Sequence, residues 1–244
     1  MNDPENAPSE LAIRALGVRK TFGSGDSAVP ALKGVDLEAR FGEMLMIVGP
    51  SGCGKTTLLS VICGTMRYDA GSVEVFGRDL HSMSEARITA FRGQNVGFIF
   101  QQFNLIPQWN AVENASVPLL LQGRSRGVAE KEAQRLLTAV GLGDRIRSYP
   151  TQLSGGQQQR VAISRALVHE PRLIICDEPT ASLDAATGLT VMKLLKEVAC
   201  RPDRCVIVVT HDSRIFSFAD RIAEMEDGLV KAVHRGGDFH MQYV

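Results

Sequence analysis

The fold of this chain is decided by one stretch, Gly49-Pro50-Ser51-Gly52-Cys53-Gly54-Lys55-Thr56-Thr57, which matches the phosphate-binding pattern G-x-x-x-x-G-K-[ST] at every fixed position. The apolar run 44–48 before it predicts a buried strand, and the apolar residues at 58, 59, 61 and 62 predict a helix after it. In this setting the glycines let successive N–H groups point at one anion, at the N-terminus of the helix. Lys55 is then expected to reach outer phosphates, and the Thr56 hydroxyl to ligate magnesium. The alternative is a glycine-rich turn with an ordinary surface lysine, but the matching strand and helix disfavour it.

Length and composition narrow the class of protein. The 244 residues, 44% of them hydrophobic, suffice for one large α/β domain or two small ones. The net charge of zero and the pI near 7.0 give no overall electrostatic reason to bind nucleic acid or an anionic membrane. The five cysteines are scattered without a C-x-x-C pair, which predicts reduced thiols in a cytosolic setting and disfavours zinc.

No membrane segment is predicted. Residues 1–10 are polar and form a predicted flexible leader without an apolar core, and no stretch approaches the roughly 18 apolar residues of a membrane span. We therefore expect that the chain does not enter a membrane by itself.

The N-terminal part predicts β structure beside the phosphate loop. Strands are expected at 11–18 and 32–39, and we expect this pair to form an antiparallel edge of the main sheet. Phe22 lies in the loop between them, where its ring could stack on a purine or simply anchor the loop. A further strand at 72–76 and a helix at 84–91 precede the next motif.

Polar residues directly follow three predicted strands. Gln101 follows the strand at 96–100, Asp177 and Glu178 follow that at 172–176, and His211 closes that at 205–209. Open α/β sheets bind ligands at the carboxyl ends of their strands, so we expect these side chains to meet at one edge. There Gln101 would bond a metal-bound water or the nucleotide, Asp177 would hold magnesium, Glu178 would polarise an attacking water, and His211 would touch a γ-phosphate. The alternatives are that Gln101, Asp177 and Glu178 lie in solvated turns and that His211 has a structural role.

A helical region is predicted between these strands. From 111 to 147 the apolar residues recur at helical spacing, Gly141 is the expected stop, and the region has the character of a helical insert. Pro107 and Trp109 stand at its junction, either as an exposed apolar surface for a partner or in plain packing.

The string Leu153-Ser154-Gly155-Gly156-Gln157 supplies a second helix start. Ser154 and Gln157 have the spacing of a capping box for a helix at 157–169, and the two glycines at a helix N-terminus also predict a second anion site. Further on, Ser182-Leu183-Asp184 leads into another helix. Strands at 221–225 and 229–233, joined by Asp227-Gly228, predict a terminal hairpin, with a tail at 234–244.

In this order the motifs resemble those of an ATP-binding cassette (ABC) ATPase subunit, over residues 11–233. The resemblance implies the α/β fold of the P-loop NTPases, as one ABC nucleotide-binding domain at 11–233. Its core sheet is mainly parallel with an antiparallel β edge, and its helical subdomain lies at about 101–160.

The resemblance also implies an ATPase that uses ATP and Mg2+. Subunits of this family close head to tail as dimers, with each ATP between the phosphate loop of one copy and the Ser154-to-Gln157 segment of the other. The resemblance assigns hydrolysis to Glu178, His211, Gln101 and Lys55. It assigns metal binding to Thr56, Gln101 and Asp177. The residues that it assigns to nucleotide binding are Phe22, Gly49, Pro50, Ser51, Gly52, Cys53, Gly54, Lys55, Thr56, Thr57, Ser154, Gly155, Gly156, Gln157 and Asp184. Phe22 stands where tyrosine is more usual, and Cys53 replaces a commoner serine, which would make the site thiol-sensitive.

Within the family, the segments 97–107, 113–114 and 117–120 are similar to the ATPases of lipoprotein release and macrolide export. That implies a separate membrane permease, a periplasmic adaptor in some systems, and a place on the cytoplasmic face of the inner membrane. The alternatives are an importer subunit for small polar solutes, a soluble ABC protein of DNA repair or translation, and a catalytically idle scaffold. Lys55, Glu178 and His211 argue against the scaffold.

Overall fold

The computed structural model describes residues 10–238, so the predicted leader, except Glu10, and residues 239–244 lie outside the described part. The strands are β1 (Leu11–Phe22), β2 (Val29–Arg40), β3 (Met44–Val48), β4 (Ala70–Val75), β5 (Arg78–Asp79), β6 (Val96–Ile99), β7 (Leu173–Asp177), β8 (Cys205–Thr210), β9 (Arg221–Glu226) and β10 (Leu229–Arg235). The α-helices are α1 (Lys55–Ile62), α2 (Glu85–Asn95), α3 (Ala111–Leu121), α4 (Arg126–Ala139), α5 (Gly155–Leu167) and α6 (Ala185–Ala199).

The main sheet has the order β10-β9-β3-β8-β7-β6. All neighbours in it are parallel except the hairpin of β9 and β10, which supplies the antiparallel edge. Every residue of β3 and β8 is buried, as continuous apolar runs require when helices or a second sheet cover both faces. This parallel arrangement brings the carboxyl ends of β3, β6, β7 and β8 to one edge.

The N-terminal strands differ from the prediction in one respect. They form a separate four-stranded antiparallel sheet of order β2-β1-β4-β5, instead of an edge of the main sheet. In this sheet β1 is an inner strand, which pairs with β2 on one side and β4 on the other, and no strand of it pairs with the six-stranded sheet among residues 10–238. Apolar side chains of this sheet, of α1 and of one face of the main sheet share a common core.

The predicted helical region contains α3 and α4, which pack with α5 around a core of their own. Asn110 caps α3 and forms a reciprocal capping box with Glu113. Gly141, with φ of +75°, follows the end of α4 at the predicted stop. These helices flank the segment 100–110, which leads from β6 to α3. Among residues 10–238, no helix is both long enough and apolar enough to cross a lipid bilayer.

Several element boundaries shift from their predicted positions. Phe22, predicted in the loop between the first two strands, is the last residue of β1 and is paired with Val29 of β2. Asp177 is the last residue of β7, paired with Val209 of β8, and does not lie in the loop beyond the strand. The strand β10 continues to Arg235, so the first two residues of the predicted tail belong to the hairpin.

Candidate functional site

The phosphate loop takes a backbone shape that requires glycine at two positions. Gly49 has φ of +152° and Gly54 has φ of +103°. A Cβ atom at Gly49 would collide with the carbonyl oxygen of Met225, and one at Gly54 with that of Ala31. Any other residue would therefore meet both backbone strain and a collision. The loop is thus fitted closely against β9 and β2, with Gly54 in the left-handed conformation just before α1.

Lys55 curls back over this loop. Its Nζ donates to the carbonyl oxygens of Gly49 and Pro50, both at 2.8 Å, and lies 3.7 Å from Cys53 Sγ. The side chain is only 8% exposed. An ammonium group held above a loop of backbone N–H groups and a helix N-terminus makes this place attractive to an anion.

The strand ends meet as the sequence predicts. Gln101, Asp177, Glu178 and His211 line one cavity of about 400 Å³ together with Ser51, Gly52, Gly54, Lys55, Thr56 and Thr57 of the phosphate loop. They come from segments far apart in sequence, and the parallel order of β6, β7 and β8 is what brings them to one edge.

Glu178 has a strained backbone and a defined partner. Its φ of +50° is unusual for a residue other than glycine, and its N–H donates to the carbonyl oxygen of Val209 at 2.9 Å. Its Oε1 lies 2.7 Å from His211 Nδ1. The carboxylate is 13% exposed, whereas the imidazole is 71% exposed. The histidine thus orients one oxygen of the glutamate from the solvent side.

The oxygen atoms beside Lys55 fit a hard cation. Burial raises the pKa of the Asp177 carboxyl, the charge of Glu178 raises it further, and Lys55 lowers it. The ionised form of this carboxylate thus lacks full compensation within the chain. Thr56, Asp177 and Gln101 line the same cavity with a hydroxyl, a carboxylate and an amide oxygen, which are the ligand types that Mg2+ prefers.

The second predicted anion site lies elsewhere in the chain. The residues Ser154 to Gln157 form the predicted capping box, with the Ser154 N–H donating to Gln157 Oε1 at 2.9 Å and the Gln157 N–H donating to Ser154 Oγ at 3.3 Å. None of them lines the cavity of the phosphate loop. Gly155 instead packs near Leu183, and Gly156 near Thr187. Within one chain the two anion sites are therefore not brought together.

Five further residues predicted to bind the nucleotide also do not line that cavity: Gly49, Pro50 and Cys53 of the phosphate loop, Phe22 and Asp184. Phe22 is 41% exposed, with Lys20 Nζ 6.0 Å from the centre of its ring. Asp184 caps α6 by accepting a hydrogen bond from the Thr187 N–H at 3.0 Å, and hydrogen bonding with the side chain and then the N–H of Thr187 lowers the pKa of its carboxyl.

Four polar side chains that hold the site together were not assigned a role from the sequence. Ser182 and Arg165 bind the loop after β6, Asn114 binds the segment that ends at Trp109, and Gln159 of α5 donates to the carbonyl oxygen of Pro179 at 2.9 Å. Asn114 and Gln159 are fully buried. A buried polar residue among the apolar positions of a helix is a signal that could have found these two.

A larger, mostly apolar cavity of about 840 Å³ adjoins the first and shares Thr56 and Asp177 with it. Its walls come from α1, α2, β6, α3 and α5, and include Leu59, Phe98, Phe100, Pro118 and Leu121. The cavity therefore opens between the core sheet and the helical region.

Comparisons with known proteins identify the family. The family model described as ABC transporter matches residues 32–181. An uncharacterised ABC transporter ATP-binding protein of Methanocaldococcus jannaschii is 45% identical over 216 residues, which are 88% of this chain and 96% of that protein. The lipoprotein-releasing system ATP-binding protein LolD of Shewanella sp. (strain MR-7) is 42% identical over 224 residues, covering 92% of this chain and 97% of LolD.

A further relative and a solved structure also match the chain. The macrolide export ATP-binding/permease protein MacB of Agrobacterium fabrum is 42% identical over 222 residues, which are 91% of this chain but 34% of MacB. A solved dimeric ATP-binding cassette in a post-hydrolysis state with ADP and Pi superposes with a TM-score of 0.83 at 38% identity, covering 93% of this chain and 100% of that one. The chain therefore belongs to the ABC transporter family, as an ATP-binding subunit with ATPase activity that is similar to LolD and MacB.

Proposed function

We propose that two copies of this chain close head to tail around two Mg-ATP and that hydrolysis drives a separate membrane permease of the export or lipoprotein-releasing kind. One observation carries the first part of this proposal. The phosphate loop and the catalytic candidates share one cavity, whereas Ser154 to Gln157, the second helix-terminal anion site, lies outside it. A second copy of the chain is the simplest way to bring a Ser154-to-Gln157 helix start to the nucleotide held in this cavity.

Nucleotide binding follows from the loop. The backbone N–H groups of residues 51–57 would hold the phosphates, and Lys55 would exchange its bonds to its own loop for bonds to phosphate oxygens. Thr56, Asp177 and Gln101 would hold Mg2+, which when bound neutralises charge on the phosphates. Phe22 would stack on the adenine.

Hydrolysis would use the strand ends. Glu178 would take a proton from water as the water attacks the γ-phosphorus and the bond to ADP breaks, which yields ADP and phosphate. The bond between Oε1 and His211 leaves Oε2 free to face the water. His211 would also contact the γ-phosphate, since its exposed ring lines the cavity.

The dimer would complete each site. Ser154, Gly155, Gly156 and Gln157 of the second copy would add the N-terminus of their α5 to the phosphates, where the helix dipole favours negative charge. Asp184 would cross the interface. The similar solved cassettes, described as dimeric, support this arrangement.

The permease would bind beside the nucleotide. The segment from Gln101 to Trp109 leads from the ATP cavity to a surface where Trp109 is 37% exposed, and Phe100, just before this segment, lines the apolar 840 Å³ cavity. An exposed apolar surface of this kind suits a protein partner. The names of LolD and MacB favour release or export, and would place the chain at the cytoplasmic face of the inner membrane, with a periplasmic adaptor as a further component.

The catalytic part is tested with Glu178→Gln and Lys55→Ala. We expect Glu178→Gln to lower ATP turnover about 100-fold or more, because the general base is lost, and to keep ATP binding. Lys55→Ala should abolish tight ATP binding. The control is Glu197→Gln on the exposed side of α6. Turnover of Glu178→Gln at the wild-type rate, or unchanged ATP affinity of Lys55→Ala, would refute the assigned roles.

The transport part is tested by capturing tagged Glu178→Gln from host membranes solubilised in Mg-ATP and identifying the proteins bound to it. The proposal predicts a permease with a large extracytoplasmic domain. Lys55→Ala, which should not bind ATP tightly, is the matched control for nucleotide-dependent partners. A permease that works with a solute-binding protein would move the function to import, and ribosomal or DNA-repair partners would exclude the membrane function.

A further inference from the structure

The loop that carries Gln101 is held by side-chain hydrogen bonds from other elements. In the described part of the chain, the hydrogen bonds that reach residues 101–105 all come from side chains of other elements, and none is a backbone–backbone bond. The position of Gln101 relative to Thr56 and Asp177 therefore depends on those side chains.

The bond to Gln101 itself comes from Ser182. The Ser182 hydroxyl donates to the carbonyl oxygen of Gln101 at 3.0 Å, across 81 positions of sequence. Among residues 10–238 this is the one hydrogen bond that Gln101 makes. Loss of the hydroxyl would free Gln101, the second residue after β6.

The rest of the loop has its own anchors. Arg165 of α5 donates to the carbonyl oxygens of Phe103 at 2.7 Å and Asn104 at 2.5 Å. Asn114 of α3 accepts from the N–H of Ile106 at 2.7 Å and donates back to its carbonyl oxygen at 3.1 Å. Removal of the Ser182 hydroxyl would therefore act at the Gln101 end and leave the remainder of the loop in place.

Ser182 stands on a turn that begins at Glu178. The Ala181 N–H donates to the Glu178 carbonyl oxygen at 3.2 Å, and the Leu183 N–H donates to that of Thr180 at 3.0 Å. The turn leads directly into Asp184 at the start of α6, and Leu183 lies close to Gly155 at the start of α5. The turn 178–184 thus contains Glu178, the candidate base, contacts Gln101 through Ser182, and reaches the starts of α5 and α6.

We propose that Ser182 is a positioning residue, which places Gln101 for the bound Mg2+ and ties its position to the turn 178–184. This inference rests on the proposed role of Gln101 as a magnesium contact. Because Asp184 would meet the second copy, a shift of the turn on dimer closure would move Gln101 through the Ser182 hydroxyl. The position of Gln101 would then depend on whether the second copy of the chain is bound.

The test measures binding and does not depend on turnover. In a Glu178→Gln background, the affinity for a fluorescent ATP analogue is measured with Mg2+ and with EDTA, and the ratio gives the gain due to Mg2+. We expect Ser182→Ala to reduce this gain about two- to tenfold, as the loss of one neutral hydrogen bond does. Ser182→Thr, which keeps the hydroxyl, should restore it. Ser182 is exposed, so Ser182→Ala should fold normally.

Two further variants make the outcome decisive. Ser82→Ala removes another exposed serine-to-carbonyl bond, to Asp79 at 2.8 Å, and should leave the gain unchanged. In the double variant with Gln101→Ala, Ser182→Ala should add no further loss, since both act through the same contact. A full gain in Ser182→Ala, or losses that add in the double variant, would overturn the positioning role alone. A full gain in Gln101→Ala would remove the magnesium role of Gln101 and the inference with it.

Discussion

At the scale of single residues, Asp177 shows a conflict between stability and function. Burial and the neighbouring Glu178 raise the pKa of its carboxyl, so the folded chain holds a charge that water would solvate better. A purely structural role would favour a neutral side chain at this position. The carboxylate is explained if a cation compensates its charge during the working cycle.

We therefore expect Asp177→Asn to raise the melting temperature of the protein without nucleotide at pH 7 to 8. The sign follows from the raised pKa: above it the folded state carries the full cost of an ionised carboxylate, and below it Asp177 takes up a proton, so the cost falls and is gone below the ordinary pKa of the unfolded chain. The difference in melting temperature between Asp177→Asn and the wild type should therefore shrink as the pH falls through the raised pKa of Asp177. Calorimetry from pH 4 to pH 8 measures it.

The same variant should lose the Mg2+-dependent part of its ATP affinity. The control is Asp36→Asn on β2, whose side chain accepts from the Gly17 N–H at the surface. A lower melting temperature for Asp177→Asn at pH 8 would contradict the account of the buried charge.

At this scale the sequence predicts the residues of fixed motifs well. Gly49, Gly54, Lys55 and Asp177 are recognisable because an anion-binding loop and a strand-end carboxylate require those residue types at those spacings. Ser182 and Arg165 are different, because their bonds join segments 81 and more than 60 positions apart. Local periodicity carries no signal for such contacts.

At the scale of elements, the segment 106–110 before α3 is shaped by one buried side chain. Asn114 is fully buried and uses its whole amide: its oxygen accepts from the Ile106 N–H, and its two N–H groups are shared among the carbonyl oxygens of Ile106, Trp109 and Asn110. It thereby fixes the turn that presents Trp109. The nucleotide end of the segment 101–109 is thus tied to the turn 178–184, its middle to α5 and its exposed end to α3.

We expect Asn114→Ala to lower the free energy of unfolding by about 2 to 4 kcal/mol, because several buried or partly buried backbone groups would lose this partner. Urea denaturation provides the measurement. Asn95→Ala, which removes a single bond to the Phe91 carbonyl oxygen, should cost about 1 kcal/mol or less and is the matched control. Equal losses for the two variants would contradict the anchoring role of Asn114.

Element types were predictable, and element partners were not. The capping box at Ser154 and the stop at Gly141 follow from local chemistry, and both are confirmed. The pairing of β1 with β2 is confirmed, but the placement of this pair at the edge of the main sheet was wrong, because alternation of apolar residues predicts a strand but does not say which sheet it joins. The choice of β4 as second partner comes from the packing of the whole N-terminal sheet over α1.

At the scale of the whole molecule, the chain presents half of two sites. One edge carries the phosphate loop cavity, and a separate surface carries the helix start at Ser154 to Gln157. Since a helix N-terminus favours anions, the two surfaces would each be satisfied if one copy placed its α5 on the phosphates held by the other. Head-to-tail association by a two-fold axis forms both sites at once.

The most direct measurement of this claim is the mass, by sedimentation velocity, of Glu178→Gln in Mg-ATP with and without Ser154→Arg. We predict a dimer with one ATP per chain for Glu178→Gln, and a monomer that still binds one ATP after Ser154→Arg, since Ser154 is outside the chain's own cavity. Ser84→Arg, at the start of α2, is the control and should leave the dimer intact. A Glu178→Gln protein that remains monomeric in Mg-ATP, or a dimer that survives Ser154→Arg unchanged, would contradict the account.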